Sequence, residues 1–324
     1  MISVVVPTFD RPNGLLAAVR SLFEQTYAAN GFRLIIVDNT PTATASDALA
    51  QLVRECPDDI DLVALHEPEP GVANARNAAM QVVDTDLVAF LDDDQTAPQD
   101  WLQSILENYR AFPAAVTFGP VQTVLPEGQR RHQAYFEHFF AREPDLASGF
   151  THASFGCGNA LIDFAQIPGG APWFDVKMNE SGGEDDILFG RVRQAKARFA
   201  WAAEAPVWEH PLPARVSLRY TLLRAFSYGQ APITLERFRN RNRPDIIAKW
   251  MVIGAGKAAF HGMQWLGLSL IRHPGRAFQL DKAVRGISKI FWWVDFRFYG
   301  AAALKQKSPK SVPAPEAADL LEQA

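Results

Sequence analysis

The stretch L-V-A-F-L-D-D-D-Q, Leu87 to Gln95, carries five apolar or small residues straight into three adjacent carboxylates, Asp92, Asp93 and Asp94. An apolar run of this length, bounded by polar residues, reads as a buried parallel strand. Three neighbouring anions repel one another, so packing alone does not select them. In an open α/β sheet, ligands sit outside the carboxyl ends of the strands. A hard divalent cation, Mg²⁺ or Mn²⁺, would relieve the repulsion through carboxylate oxygens, with phosphate oxygens completing its shell. The competing reading is a solvated acidic turn capping the next helix.

The residues around this stretch repeat one pattern. Ile2 to Val6, Leu34 to Val37 and Asp61 to Leu65 are short β-branched or apolar runs, each followed by a helical periodicity. The helix after Pro12 sets Leu15, Leu16, Val19, Leu22 and Phe23 on one face, and Ala43 to Arg54 forms the second. Gly71 introduces V-A-N-A-R-N-A-A-M, small residues that pack close to a sheet. Four such alternations predict an α/β fold: a doubly wound, mainly parallel sheet with right-handed crossovers. Further on, Pro98 to Tyr109 reads as a helix, Ala115 to Thr123 as one strand and Gln133 to Ala141 as an aromatic-rich helix. Glu143 to Ser154 reads as a loop, and Gly158 to Phe164, Phe199 to Trp201 and Val207 to Trp208 as strands.

Two more strand ends are polar: Pro7-Thr8-Phe9-Asp10 and Asp38-Asn39. In a doubly wound sheet both share an edge with Asp92 to Asp94. Asp38 could accept hydrogen bonds from a base or ribose, or could simply close an Asx turn or cap a helix. Arg76, on the helix after Gly71, could meet a phosphate, brace the aspartates or lie in solvent. A second acidic cluster, G-G-E-D-D, begins a helix at Gly182 to Asp186. N-capping accounts for one of its acids, and a general base facing the first cluster would account for another. His210, directly after a strand, could complete a metal shell or be structural.

Together V-V-V-P-T-F-D-R-P, I-I-V-D-N, G-V-A-N-A-R-N, F-L-D-D-D-Q and G-G-E-D-D-I-L-F-G-R, in that order over residues 2 to about 210, resemble the inverting family-2 glycosyltransferases. The resemblance implies the GT-A nucleotide-diphospho-sugar transferase fold. It implies that Asp92 and Asp94 bind ribose and the metal–diphosphate, and that Asp38, beside Pro7 and Thr8, meets the nucleobase. It carries Arg76 over as a donor-site arginine, Asp185 as the base, and Glu184 as an acceptor contact. Asp93 and Asp186 blur the register by one position, so either could hold the role given to its neighbour, and Asp93 is counted with the donor site. Asp94, with His210, would hold the Mg²⁺ or Mn²⁺.

Charge divides the chain. Residues 1–210 hold 14 basic and 29 acidic residues, a net of −15, whereas residues 211–310 hold 18 and 4, a net of +14. A basic, aromatic-rich third points to an anionic surface as partner. Trp250 to Ile271 has the length of a membrane span, yet Lys257, His261 and Gln264 interrupt it. With Gly286 to Tyr299 it reads first as an in-plane interfacial anchor, against a true span or a soluble helical subdomain. No motif points to nucleic acid. Two cysteines make neither a disulfide framework nor a zinc pattern, and no signal peptide is evident, so a cytoplasmic location at the inner face of the plasma membrane is expected.

The expected domains are 1–210, catalytic, with a nucleotide-sugar half at 1–125 and an acceptor half at 126–210. A membrane-associating region at 211–307 and a disordered tail at 308–324 follow. The expected activity is transfer of a sugar from a nucleotide-diphosphate donor to a hydroxyl of a glycan or lipid-linked acceptor in polysaccharide biosynthesis. The rivals are a metal-dependent nucleotidyltransferase, with Arg11 handling the triphosphate, and an inactive nucleotide-sugar-binding protein.

Overall fold

The computed structural model describes residues 2–27, 31–238 and 243–294. The first half alternates as the periodicity predicts: β1 (Ser3–Thr8), α1 (Pro12–Phe23), β2 (Phe32–Asp38), α2 (Ser46–Glu55), β3 (Ile60–His66), α3 (Val72–Val82) and β4 (Leu87–Phe90). Then come β5 (Gln95–Thr96), α4 (Trp101–Ala111), β6 (Val116–Phe118), β7 (Val121–Thr123), α5 (Gln133–Phe140), β8 (Gly149–Thr151), β9 (Ala160–Asp163), α6 (Glu184–Gln194), β10 (Phe199–Trp201) and β11 (Val207–Glu209). Three helices follow: α7 (Leu218–Phe238), α8 (Pro244–Leu270) and α9 (Arg276–Ile290).

The main sheet runs β3-β2-β1-β4-β9-β6-β10-β8. Its β3-β2-β1-β4 half is wholly parallel, β9 runs antiparallel to both neighbours, and β8 closes the far edge antiparallel to β10. Strand residues alternate between two cores. Val4, Val6, Leu34 and Ile36 pack under α1, α2 and α4, while Val5, Ile35 and Val37 pack under α3 and α6. That two-sided burial makes the strands read as continuous apolar runs.

Two expectations change. Ala115 to Thr123 is two strands, because Gly119-Pro120 carries the chain from the main sheet into a second one, β5-β11-β7. Proline has no N–H to donate to a ladder, and a Cβ on Gly119 would stand 2.3 Å from the Ala205 carbonyl oxygen. Glu143 to Ser154 is not wholly a loop, since it contains β8, whose Phe150 pairs with Ala200.

The C-terminal helices pack on one another and on α5. Tyr135 and Phe136 meet Val216 and Ala277 in a satellite core, and the Tyr135 hydroxyl donates to Asp281 Oδ1 at 3.2 Å. The outermost helix, α8, lies against α9, with Gly254 and Gly286 at the crossing. Among the described residues no helix is long and apolar enough to cross a membrane. The expected tail at 308–324 and the end of the second aromatic stretch, from residue 295, lie outside the described residues.

Candidate active site

Strand order reverses beside β1, so the crevice opens where the carboxyl ends of β1 and β4 diverge. Leu91 N–H still donates to Val5 C=O at 3.1 Å, and the three aspartates follow at once, level with Thr8. The middle one turns to the first-strand loop: Asp93 accepts from Thr8 Oγ1 at 2.8 Å, Phe9 N–H at 3.2 Å and Arg11 Nη1 at 2.8 Å. Burial pushes Asp93 up to about 6 despite the pull of Arg11. Its neighbours differ. Asp92 keeps 36% of its side chain exposed at the cavity, while Asp94 accepts from Arg11 at 2.5 Å with Arg215 at 3.5 Å. Arg11 is therefore held by carboxylates.

The second sheet brings a distant segment to the same place. Glu209 pairs with Gln95 in register, and the next residue, His210, donates its backbone N–H to Asp94 C=O at 2.7 Å. The His210 ring shares a 2.9 Å hydrogen bond between Nε2 and Thr96 Oγ1. Glu209 is pushed up to about 8 by desolvation and then by Asp94 and Asp92. Among the described residues no three His, Cys, Asp or Glu side chains converge as a metal site. The crowded carboxylates are nevertheless hard-oxygen donors of the kind Mg²⁺ and Mn²⁺ favour.

The second acidic cluster opens on the same space. Gly183, at φ 99° in the left-handed region, turns the chain into α6, so Glu184, Asp185 and Asp186 form its first turn. Arg76, buried against Phe90 and Phe174, bridges the two clusters: Nη1 pairs with Glu184 Oε1 and Nη2 stands 3.5 Å from Asp92 Oδ1. Burial and the adjacent Asp185 push Glu184 up to about 7, against the pull of Arg76. Asp185 accepts from Cys157 N–H at 3.2 Å through Oδ2 and from Asp186 N–H at 2.8 Å through Oδ1. Asp92, Asp93, Asp94, Arg76, Glu184 and Asp185 all line one cavity of about 900 Å³ with Pro7 and Thr8.

Asp38 stands apart from this set. It is buried, and its oxygens accept from Thr40 N–H, Thr40 Oγ1 and Ala45 N–H at 3.1, 2.7 and 2.8 Å, the Asx-turn alternative. Its neighbour Asn39 lines the cavity instead, holding Gly71 N–H at 2.7 Å through Oδ1. The sequence reading also passed over Arg142, Arg215, Glu209 and the strap Gly156-Cys157-Gly158, all at the cavity wall. Glu209 had a legible signal in its place before His210, whereas Arg142 follows α5 with no local pattern to mark it. On the open side, α7 adds Tyr220, Arg224 and Tyr228, facing Phe139 and Phe140 of α5.

Residues 3–165 match the family model for glycosyl transferase family 2. The succinoglycan biosynthesis protein ExoM of Rhizobium meliloti is 32% identical over 71% of this chain and 73% of its own. By structure, the chain is similar to the mannosyltransferase PcManGT of Pyrobaculum calidifontis, solved with GDP-Man and Mn²⁺ (TM-score 0.59, 16% identity, 91% of this chain and 88% of that one). It is also similar to S. aureus TarS residues 1–349 with UDP-GlcNAc (TM-score 0.51, 14% identity, 90% and 91%). At those identities the structures speak for the fold, which is the GT-A type, and the sequence matches speak for descent. The chain belongs to glycosyl transferase family 2 and is a glycosyltransferase.

Proposed function

We propose that this enzyme inverts the anomeric centre of a nucleotide-diphosphate sugar while passing the sugar to a hydroxyl of a glycan or lipid-linked acceptor in polysaccharide assembly. The observation that carries this reading is the meeting of the two acidic clusters in one cavity, tied by Arg76 between Asp92 and Glu184. Donor and base belong on opposite sides of such a crevice. Asp185 takes the acceptor proton as the hydroxyl oxygen attacks the anomeric carbon, and the bond to the diphosphate breaks on the far side. Two N–H groups hold the Asp185 carboxylate by one oxygen each. Glu184 holds Arg76 in place and stands beside the incoming acceptor. The donor lies along Pro7, Thr8 and Asn39, with Asp38 shaping the loop beneath it and Asp92 at the ribose.

A Mg²⁺ or Mn²⁺ ion would be held by Asp94, with Asp92 and Glu209 adding carboxylate charge nearby; the His210 ring bonds Thr96 and does not line the cavity, so its part as a second ligand rests on the sequence resemblance alone. Such an ion supplies charge neutralisation for the departing diphosphate. The structural neighbour solved with Mn²⁺ is in keeping with use of a divalent ion. The basic helices and the exposed apolar face of α8 support docking on the cytoplasmic face of a membrane.

The test is Asp185→Asn, assayed with a panel of nucleotide sugars. Turnover is expected to fall roughly 10²–10⁴-fold with donor affinity preserved, and the wild type to release a nucleoside diphosphate. Release of pyrophosphate would instead favour a nucleotidyltransferase. Unchanged turnover of the variant would remove Asp185 from the chemistry.

A further inference from the structure

The strap Gly156-Cys157-Gly158 runs between the two acidic clusters. A Cβ on Gly158 would stand 2.2 Å from Asp92 Oδ2, and one on Gly156 would stand 3.4 Å from Asp185 Oδ2. The central N–H, that of Cys157, is the donor to Asp185 Oδ2. The strap thus touches the donor-side carboxylate with one end and the base with the other.

Arg142 clamps it from behind. Its backbone is pinned in both directions to Val121, N–H to O at 2.7 Å and O to N–H at 3.0 Å, so the side chain starts from a fixed point. Its guanidinium then takes the carbonyls of both glycines, Nη1 to Gly156 O at 2.8 Å and Nη2 to Gly158 O. Gripping the Gly156 carbonyl fixes the peptide plane it shares with the Cys157 N–H, which in a trans peptide points the opposite way, toward Asp185, while the grip on the Gly158 carbonyl anchors the other end of the strap. The third donor, Nε, is fully enclosed and has no hydrogen-bond partner in the protein. Asp92, Glu209 and Asp185 are its charged neighbours, and burial pulls its guanidinium below the ordinary range against them.

We infer that Arg142 is a positioning residue for the transfer: by gripping the carbonyls of Gly156 and Gly158 it aims the Cys157 N–H at Asp185 and sets the separation between base and donor. This inference rests on Asp185 being the base. It adds that the base is oriented from behind by a residue outside the two acidic clusters.

Three variants test it on the full chain: Arg142→Ala, Arg142→Lys and Asp185→Asn, with kcat, donor KM and the pH profile of kcat measured for each. Arg142→Ala is expected to lower kcat roughly 10–100-fold, the scale of an ångström-level misplacement, with donor KM within about twofold. Its acid limb is expected to move to higher pH, since a donor to the carboxylate is lost. Guanidine at millimolar concentration is expected to restore part of that kcat, and Arg142→Lys, which can grip one carbonyl, to fall between. Thermal unfolding checks that each variant is folded. A kcat unchanged in folded Arg142→Ala, or a loss expressed wholly as raised donor KM, overturns the inference. If Asp185→Asn is inactive while Arg142→Ala is normal, only this inference fails. If Asp185→Asn stays active, the assignment of the base fails with it.

Discussion

Thr8, Phe9 and Arg11 all donate to Asp93, and none of them donates to Asp92. Three identical letters in the sequence therefore hold different posts, and the neighbours supplied by β1 decide which. Nothing in D-D-D itself could reveal this, because the deciding partners lie more than 80 residues earlier. The same limit applied to Asp38: a strand-end aspartate looks alike whether it faces a ligand or closes a turn. Only the position of Thr40 and Ala45 tells them apart. The place of Asp185 at the cavity, by contrast, was legible, since three acids after two glycines exceed what a helix cap requires. Substitution separates the triplet. Asp93→Asn forfeits charge-assisted hydrogen bonds and is expected to cost about 1.5–3 kcal/mol of stability, read as a lower urea midpoint, while retaining most turnover. Asp94→Asn loses its pairing with Arg11 and Arg215 as well, and is expected to differ from Asp93→Asn by losing roughly 10²–10³-fold in kcat, measured by nucleoside diphosphate release.

Elements were readable where their periodicity was strong and the partner strand near. Strands β1, β2 and β4 are buried almost throughout and their apolar runs announce them, while β3, at the sheet edge, is only partly covered. The break at Gly119-Pro120 had a sign in the Gly-Pro pair itself, but only the second sheet shows that the chain changes ladders there. Strand β8 was hidden, being a short edge whose Phe150 remains exposed. Helix α8 is the clearest case of a face without a partner. Val252, Phe260, Met263, Leu266 and Leu270 are 54–87% exposed and recur at helical spacing, with Lys249, Lys257 and Arg272 exposed beside them. An apolar stripe flanked by lysine and arginine suits an anionic bilayer surface. Met263→Glu with Leu266→Glu is expected to weaken binding to phosphatidylglycerol vesicles at least tenfold, since burying each apolar side chain is worth about 1.5–3 kcal/mol. Flotation assays check this, and turnover of a soluble acceptor is expected to hold.

At the scale of the molecule, the cleft concentrates negative charge that folding must enclose. Asp93, Glu184 and Glu209 are raised to about 6, 7 and 8, so the folded state binds more protons than the unfolded chain between pH 5 and 8. Stability therefore declines as pH climbs through that window, because its slope follows protons bound unfolded minus folded. Thermal scans from pH 5.5 to 8.5 in a chelator are expected to show Tm falling. Added Mn²⁺ is expected to raise Tm more at pH 8 than at pH 6, and Glu209→Gln to flatten the upper end of the slope. The opposed charge of the two parts was legible in the sequence, but their joint wall was not. Helix α7, assigned by sequence to a separate region, carries Tyr220, Arg224 and Tyr228 into the cavity. Because that helix packs with α9, which in turn carries α8, tilting the outer hairpin also tilts one side of the crevice. Were the outer helix to rest on a membrane surface, as proposed, the three helices would fix the height and direction from which an acceptor hydroxyl reaches the crevice.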